Sequence, residues 1–151
     1  MSTVGDLCER DVVVATPDTT VAGAAKLMRH RHVGSLVIVD RTSGGPSHPV
    51  GIVTDRDIVV EVTATDVDPN ELTVADVMSE EIVTVRADAD ALDALQTMRS
   101  KGVRRLPVVT AAGALVGVVA FDDLLQVLAE QLQTLSRVVG REHTKETASR
   151  K

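Results

Sequence analysis

Apolar and polar positions along this chain follow two different periods in turn. Val12, Val13 and Val14 form a short β-branched run that Thr16-Pro17-Asp18 stops, and Val21 to Arg31 then carries Ala22, Ala25 and Met28 at helical spacing. Leu36-Val37-Ile38-Val39 and Val50-Gly51-Ile52-Val53 are apolar runs of strand length, separated by the turn-rich loop RTSGGPSHP at 41–49. Asp55 to Val62 follows as a short helix. The predicted order is strand, helix, strand, strand, helix.

That order then recurs. Its second set of elements is Ile82 to Val85, Leu92 to Lys101, Leu106 to Val109, Leu115 to Val119 and Phe121 onward. Val4 to Asp40, laid without gaps on Val74 to Thr110, meets identical residues at Val4/Val74, Asp6/Asp76, Val13/Val83, Asp18/Asp88, Ala24/Ala94, Met28/Met98, Arg29/Arg99, Val33/Val103, Leu36/Leu106 and Val39/Val109. Val50 to Val59 then matches Val116 to Leu125, with a longer loop in the first copy. The chain is an internal repeat. Strands apolar on both faces require cover on both sides. A copy of about 60 residues buries too little surface to stand alone, so the two are expected to pack about a pseudo-twofold axis in an α+β fold. The predicted division is 1–62 first repeat, 63–73 linker, 74–135 second repeat with an extended C-terminal helix, and 136–151 helix end and polar tail.

The last helix carries Leu124, Leu128, Leu132, Leu135 and Val139 on one stripe, and is expected to run about 18 residues to Gly140, with a frayed polar tail at 141–151. The stripe reads either as packing on its own sheet or as a contact with a dimer mate or other partner.

Composition narrows the possible functions. The chain has 151 residues and 16.0 kDa, too few for a large multidomain enzyme. Phe121 is its sole aromatic ring among Phe, Tyr and Trp, so no platform exists for stacking unpaired bases. A net charge of -6 opposes binding to duplex DNA or anionic membranes, so an anion must be caught locally. Cys8 has no second thiol, and as the counterpart of Met78 it is expected to be apolar filling. The N-terminus MSTVGDLCERD carries charge where a signal peptide needs an apolar run, and no stretch is long enough for a membrane helix, so a cytoplasmic location is expected. No Walker or dinucleotide-binding glycine motif is present. His30 and His32, two apart at a helix end, lack the spacing and partners of a metal site.

The candidate chemistry lies at Gly51-Ile-Val-Thr54-Asp55-Arg56-Asp57, where a strand meets a helix. Gly51 would let a ligand approach the backbone, and Thr54 offers a hydroxyl. Backbone N–H groups at the helix start would favour an anion. Asp57 can accept from two vicinal hydroxyls, as in ribose, and Arg56 can pair with phosphate. The same residues also read as a helix cap and a solvated first turn.

With Gly34-Ser-Leu-Val-Ile-Val-Asp40 and Val103-Arg-Arg-Leu-Pro-Val-Val109, this segment resembles the nucleotide motif of tandem cystathionine-β-synthase-type (CBS) domains, across about Thr3 to Leu128. The resemblance implies two β-α-β-β-α repeats with sites shared between them. A first site would use Thr54, Arg56 and Asp57, completed by Val83, Val85, Arg86, Val103, Arg104 and Arg105. A second would use Asp123 with Val14, Thr16, Val33, Gly34 and Ser35. In the second copy the heptad reads Gly117-Val-Val-Ala120-Phe121-Asp122-Asp123. It has lost the hydroxyl and gained a carboxylate that repels phosphate, so the second site is expected to be the weaker.

The expected function is a cytosolic, non-catalytic sensor of an adenine nucleotide such as AMP or ATP, or of a related adenosyl ligand. No cofactor, metal or nucleic acid is expected. The resemblance also implies a disc-shaped homodimer whose ligand changes the surface shown to a regulated protein partner. The alternative is an interaction module that docks on an enzyme or transporter with empty pockets. An enzyme lacks the required nucleophile and base.

Overall fold

The computed structural model describes residues 2–40, 45–79 and 81–149, with side chains to residue 145. Residues 41–44 of the turn-rich loop lie outside this set. The elements are α1 (Val4–Leu7), β1 (Val14–Ala15), α2 (Val21–Arg31), β2 (Ser35–Asp40), β3 (His48–Thr54) and α3 (Asp55–Ile58), which runs on as a π-turn over Val59–Thr63. The second set is α4 (Val74–Val77), β4 (Val85–Arg86), α5 (Ala91–Lys101), β5 (Arg105–Val109), β6 (Leu115–Ala120) and α6 (Phe121–Ser149). The fold is the expected α+β repeat.

Each repeat builds a sheet of three strands, ordered β1-β2-β3 and β4-β5-β6. The first two strands of each run parallel, with Val14 opposite Val37 and Val85 opposite Val108. The last two are antiparallel, with Leu36 opposite Val53 and Leu106 opposite Val119. Helix α2 begins where Thr20 accepts from the Gly23 N–H, and α5 where Asp90 accepts from the Asp93 N–H. Both end on a left-handed residue, Gly102 in the second repeat (φ 68°) and His32 in the first (φ 56°).

The unforeseen feature is an exchange between the repeats. Thr3 with Asp6, and Thr73 with Asp76, form reciprocal caps that start the four-residue helices α1 and α4. Each helix covers the other repeat's sheet. Val4, Leu7 and Cys8 join the core of Val85, Leu106, Val119 and Leu124, while Val74, Val77 and Met78 join that of Leu36, Ile38 and Val53. The backbone seals both crossings: the Val4 N–H donates to the Ala89 carbonyl and the Val74 N–H to that of Thr19, each at 2.8 Å.

Two boundaries differ from expectation. The edge strands start at Val14 and Val85 rather than Val12 and Ile82, because these strands pair only where they run beside β2 and β5. Helix α6 also passes through Gly140 to Ser149. A glycine inside a helix costs about 1 kcal/mol, which is too little by itself to stop one.

Candidate functional site

Two clefts open between the repeats. The first, of about 500 Å³, brings Thr54, Arg56 and Asp57 together with Val103, Arg104 and Arg105. Ile52, Asp55, Glu61, Asp76, Val77, Ser79 and Gly102 complete its wall. Val83 lines a smaller adjoining cleft with Ile52, Val103 and Arg105. Val85 and Arg86 line neither cleft. Val85 is buried in the core of the second repeat, and the alternation of a strand turns Arg86 outward, where it pairs with Asp88 at 2.8 Å.

Thr54 and Asp57 are locked together at the start of α3. The Asp57 N–H donates to Thr54 Oγ1 at 3.1 Å, and the Thr54 N–H donates to Asp57 Oδ2 at 2.9 Å. Thr54 and Asp57 thus cap α3 and also line the cleft, and the cap fixes the rotamer of the Asp57 carboxylate. Asp57 Oδ1 accepts no hydrogen bond among the described residues.

The expected nest of free N–H groups does not form. The Asp55 N–H donates to the Gly34 carbonyl at 2.9 Å, that of Arg56 to Asp55 Oδ1 at 2.8 Å, and that of Asp57 to Thr54. An anion in this cleft must be met by side chains. Arg56 and Arg105 make no side-chain hydrogen bond or ion pair among the described residues. Arg104 is diverted: it pairs with Asp122 at 3.0 Å and lies 5.1 Å from the centre of the Phe121 ring.

Gly51 lines the smaller adjoining cleft and also serves packing. A Cβ there would lie 2.6 Å from Met78 Sδ, and one at Gly117 would lie 2.8 Å from Cys8 Sγ. Each motif glycine makes room for the exchanged segment. Burial raises the Cys8 thiol above its ordinary pKa. We expect Cys8 in the folded protein to be alkylated by iodoacetamide roughly tenfold more slowly than in urea, because the thiolate is the reactive form. Equal rates would mean the thiol is open to solvent.

The second cleft, of about 310 Å³, gathers Val33, Gly34, Ser35 and Asp123. Val14 and Thr16 lie outside it, Val14 in the strand beside Val37 and Thr16 bonded to Asp18 in the following turn. Glu9 and Asp11 enter instead, carried in by the exchanged N-terminal segment, and His32 and Arg105 face them. Their repeat counterparts Ser79 and Glu81 border the first-site clefts, a correspondence the repeat alignment already contained. Among the described residues, no three His, Cys, Asp or Glu side chains gather as metal ligands. No helix there is long and apolar enough to cross a membrane.

Two like halves that exchange a covering helix and enclose a pair of clefts define a tandem-repeat module. The chain belongs to the CBS domain family, whose model matches residues 4–64 and 74–130. It is 39% identical over 124 residues to an uncharacterized protein of Methanopyrus kandleri, covering 82% of this chain and 61% of that one. It is 33% identical over 130 residues to hypoxic response protein 1 of Mycobacterium tuberculosis, covering 86% and 87%. The crystal structure of Hypoxic Response Protein I with two coordinated zinc ions superposes with a TM-score of 0.72 at 32% identity, over 83% of this chain and 98% of that one. A CBS domain pair in complex with 5′-methylthioadenosine and S-adenosyl-L-methionine shares the fold, with a TM-score of 0.73 at 23% identity over 87% and 98%.

Proposed function

We propose that this protein is a cytosolic, non-catalytic sensor that binds an adenine nucleotide or related adenosyl ligand in its first cleft. The observation that carries this reading is the Asp57 carboxylate, held by its cap with one oxygen accepting nothing among the described residues, on the same cleft as two guanidinium groups that make no ion pair among those residues. The carboxylate suits a pair of ribose hydroxyls, and Arg56 and Arg105 suit phosphate. Ile52, Val77 and Val103 supply apolar walls for a base. The related pair holding adenosyl ligands supports this choice of ligand class.

The second cleft has three carboxylates, Glu9, Asp11 and Asp123, against Arg105 and His32, and so disfavours phosphate. Two copies associate as a disc-shaped homodimer through the bodies of the repeats, where Val59 is 57% exposed. Ligand binding shifts the arrangement of repeats only by its unequal affinity for the two forms, and so alters the face offered to a regulated protein.

Titration calorimetry with AMP, ATP and S-adenosylmethionine tests the reading directly. Binding of at least one is expected, with no turnover of the bound ligand over hours. No heat from any of the three, together with no small molecule released on denaturing the purified protein, would leave only the docking-module alternative.

The diverted arginine gives a further expectation. Asp122→Asn frees Arg104 for the first cleft and should tighten ATP binding about threefold to tenfold, the reach of one added charge-assisted contact near a surface. Stability should change little, since the pair is 72% and 80% exposed. Calorimetric affinity of the variant decides it, and a weaker affinity would show that the pair itself shapes the cleft.

A further inference from the structure

Helix α6 has two parts. As far as Leu128 it lies on the second repeat, with Leu124 fully buried, whereas every described side chain from Ala129 onward is exposed. The helix continues to Ser149, with its described side chains uncovered from Ala129 to Lys145, about 25 Å, and most helical stability in water comes from packing an apolar face. It has such a face. Leu125, Leu128, Leu132, Leu135 and Val139 follow one another at spacings of three, four, three and four, with Leu132, Leu135 and Val139 exposed by 66%, 62% and 66%.

Alternating threes and fours produce the seam of a coiled coil, which a flat surface does not require. The residues flanking the seam are Ala129, Gln131, Ser136 and Val138, none of them charged, so two identical helices can close without like charges meeting. Charge also runs along the helix. Asp122, Asp123 and Glu130 fill its first half without a basic residue, while Arg137, Arg141 and Lys145 outweigh Glu142 and Glu146 in the second. Parallel pairing would set acidic half on acidic half, and antiparallel pairing sets acidic on basic.

We propose that the projecting part of α6 pairs with the same helix of a second copy in antiparallel order. Leu132 of each chain meets Leu135 of the other, and Leu128 meets Val139, in a self-complementary twofold contact. This association is separate from both the nucleotide reading and the contact between module bodies.

Sedimentation of the full chain at micromolar concentration tests it, comparing wild type with Leu132→Glu/Leu135→Glu. The variant's mass should fall by at least half. Because neither position packs on the repeats of its own chain, the variant should keep the folded module, and any shift on adding AMP should stay as in wild type. Leu132→Ile/Leu135→Ile should keep the wild-type mass. An unchanged mass in the glutamate variant would overturn the pairing, as would a wild-type mass of one chain, with the stripe bare or taken by a different protein. An absence of any AMP response in wild type and variant alike would count against the nucleotide site and leave the pairing standing. A Val139→Cys chain in a Cys8→Ser background should resist disulfide cross-linking, since antiparallel order separates the two cysteines by about 16 Å along the axis. Ready cross-linking would overturn the antiparallel order.

Discussion

Asp57→Asn is expected to weaken nucleotide binding by about two orders of magnitude while leaving the protein folded. The carboxylate has two tasks that the substitution separates. Its Oδ2 accepts from the Thr54 N–H at 2.9 Å, and an asparagine oxygen can take over that bond, so the start of α3 survives. The other oxygen becomes an amide NH₂, which donates where a ribose hydroxyl needs an acceptor. A hydrogen bond to a charged group contributes about 1.5–3 kcal/mol, and losing the equivalent of one to two of them gives the stated factor. Asp57→Ala removes the cap as well and should also cost about 1 kcal/mol of stability. Calorimetry of both variants, read beside their thermal unfolding, keeps the effects apart. Wild-type affinity in a folded Asp57→Asn protein would remove the ribose from this cleft.

The fold could be read from sequence wherever structure is local or repeated. Helix α2 spans Val21–Arg31 as predicted, although its buried face is Val21, Ala24 and Met28 rather than Ala22, Ala25 and Met28, and β2 and β5 centre on the apolar runs that announced them. Thr54, Asp57, Val103 and Arg105 share a cleft because the first two are a turn apart on one helix start, and the last two enter the matching strand of the sister repeat.

What sequence could not supply is tertiary choice. Arg104 had two acceptors within reach, the cleft and Asp122, and only the approach of the α6 start to the head of β5 decides between them. The three N–H groups at the head of α3 look free in a sequence and are consumed by Gly34, Asp55 and Thr54 once the chain folds. Glu9, Asp11, Asp76 and Ser79 border the clefts through the exchange of α1 and α4, which pairs residues remote in sequence. A Thr-x-x-Asp cap repeated at Thr3 and Thr73 was the one local sign of those helices.

The exchange also predicts which motif glycine matters most for stability. Gly117→Ala should destabilise the protein by about 2–3 kcal/mol, well beyond Gly51→Ala at under about 1 kcal/mol, although the two positions are equivalent in the repeat. At Gly51 the added carbon would meet Met78 Sδ at 2.6 Å, the far end of a flexible thioether that can swing aside. At Gly117 it would stand 2.4 Å from the Glu9 carbonyl oxygen. That backbone has nowhere to go: the Glu9 N–H donates to the Val118 carbonyl at 2.9 Å, and the Val118 N–H donates back to Glu9 at 3.0 Å. Relief requires breaking this bridge and lifting the N-terminal segment away from β6. For a domain of this size the loss corresponds to roughly 5–10 °C in melting temperature. Equal melting temperatures for the two alanine variants would show that the bridge yields easily. Because the lifted segment carries Glu9 and Asp11, Gly117→Ala should also open the second cleft and expose the N-terminal segment to proteases, while the first cleft, which this segment does not line, keeps its affinity.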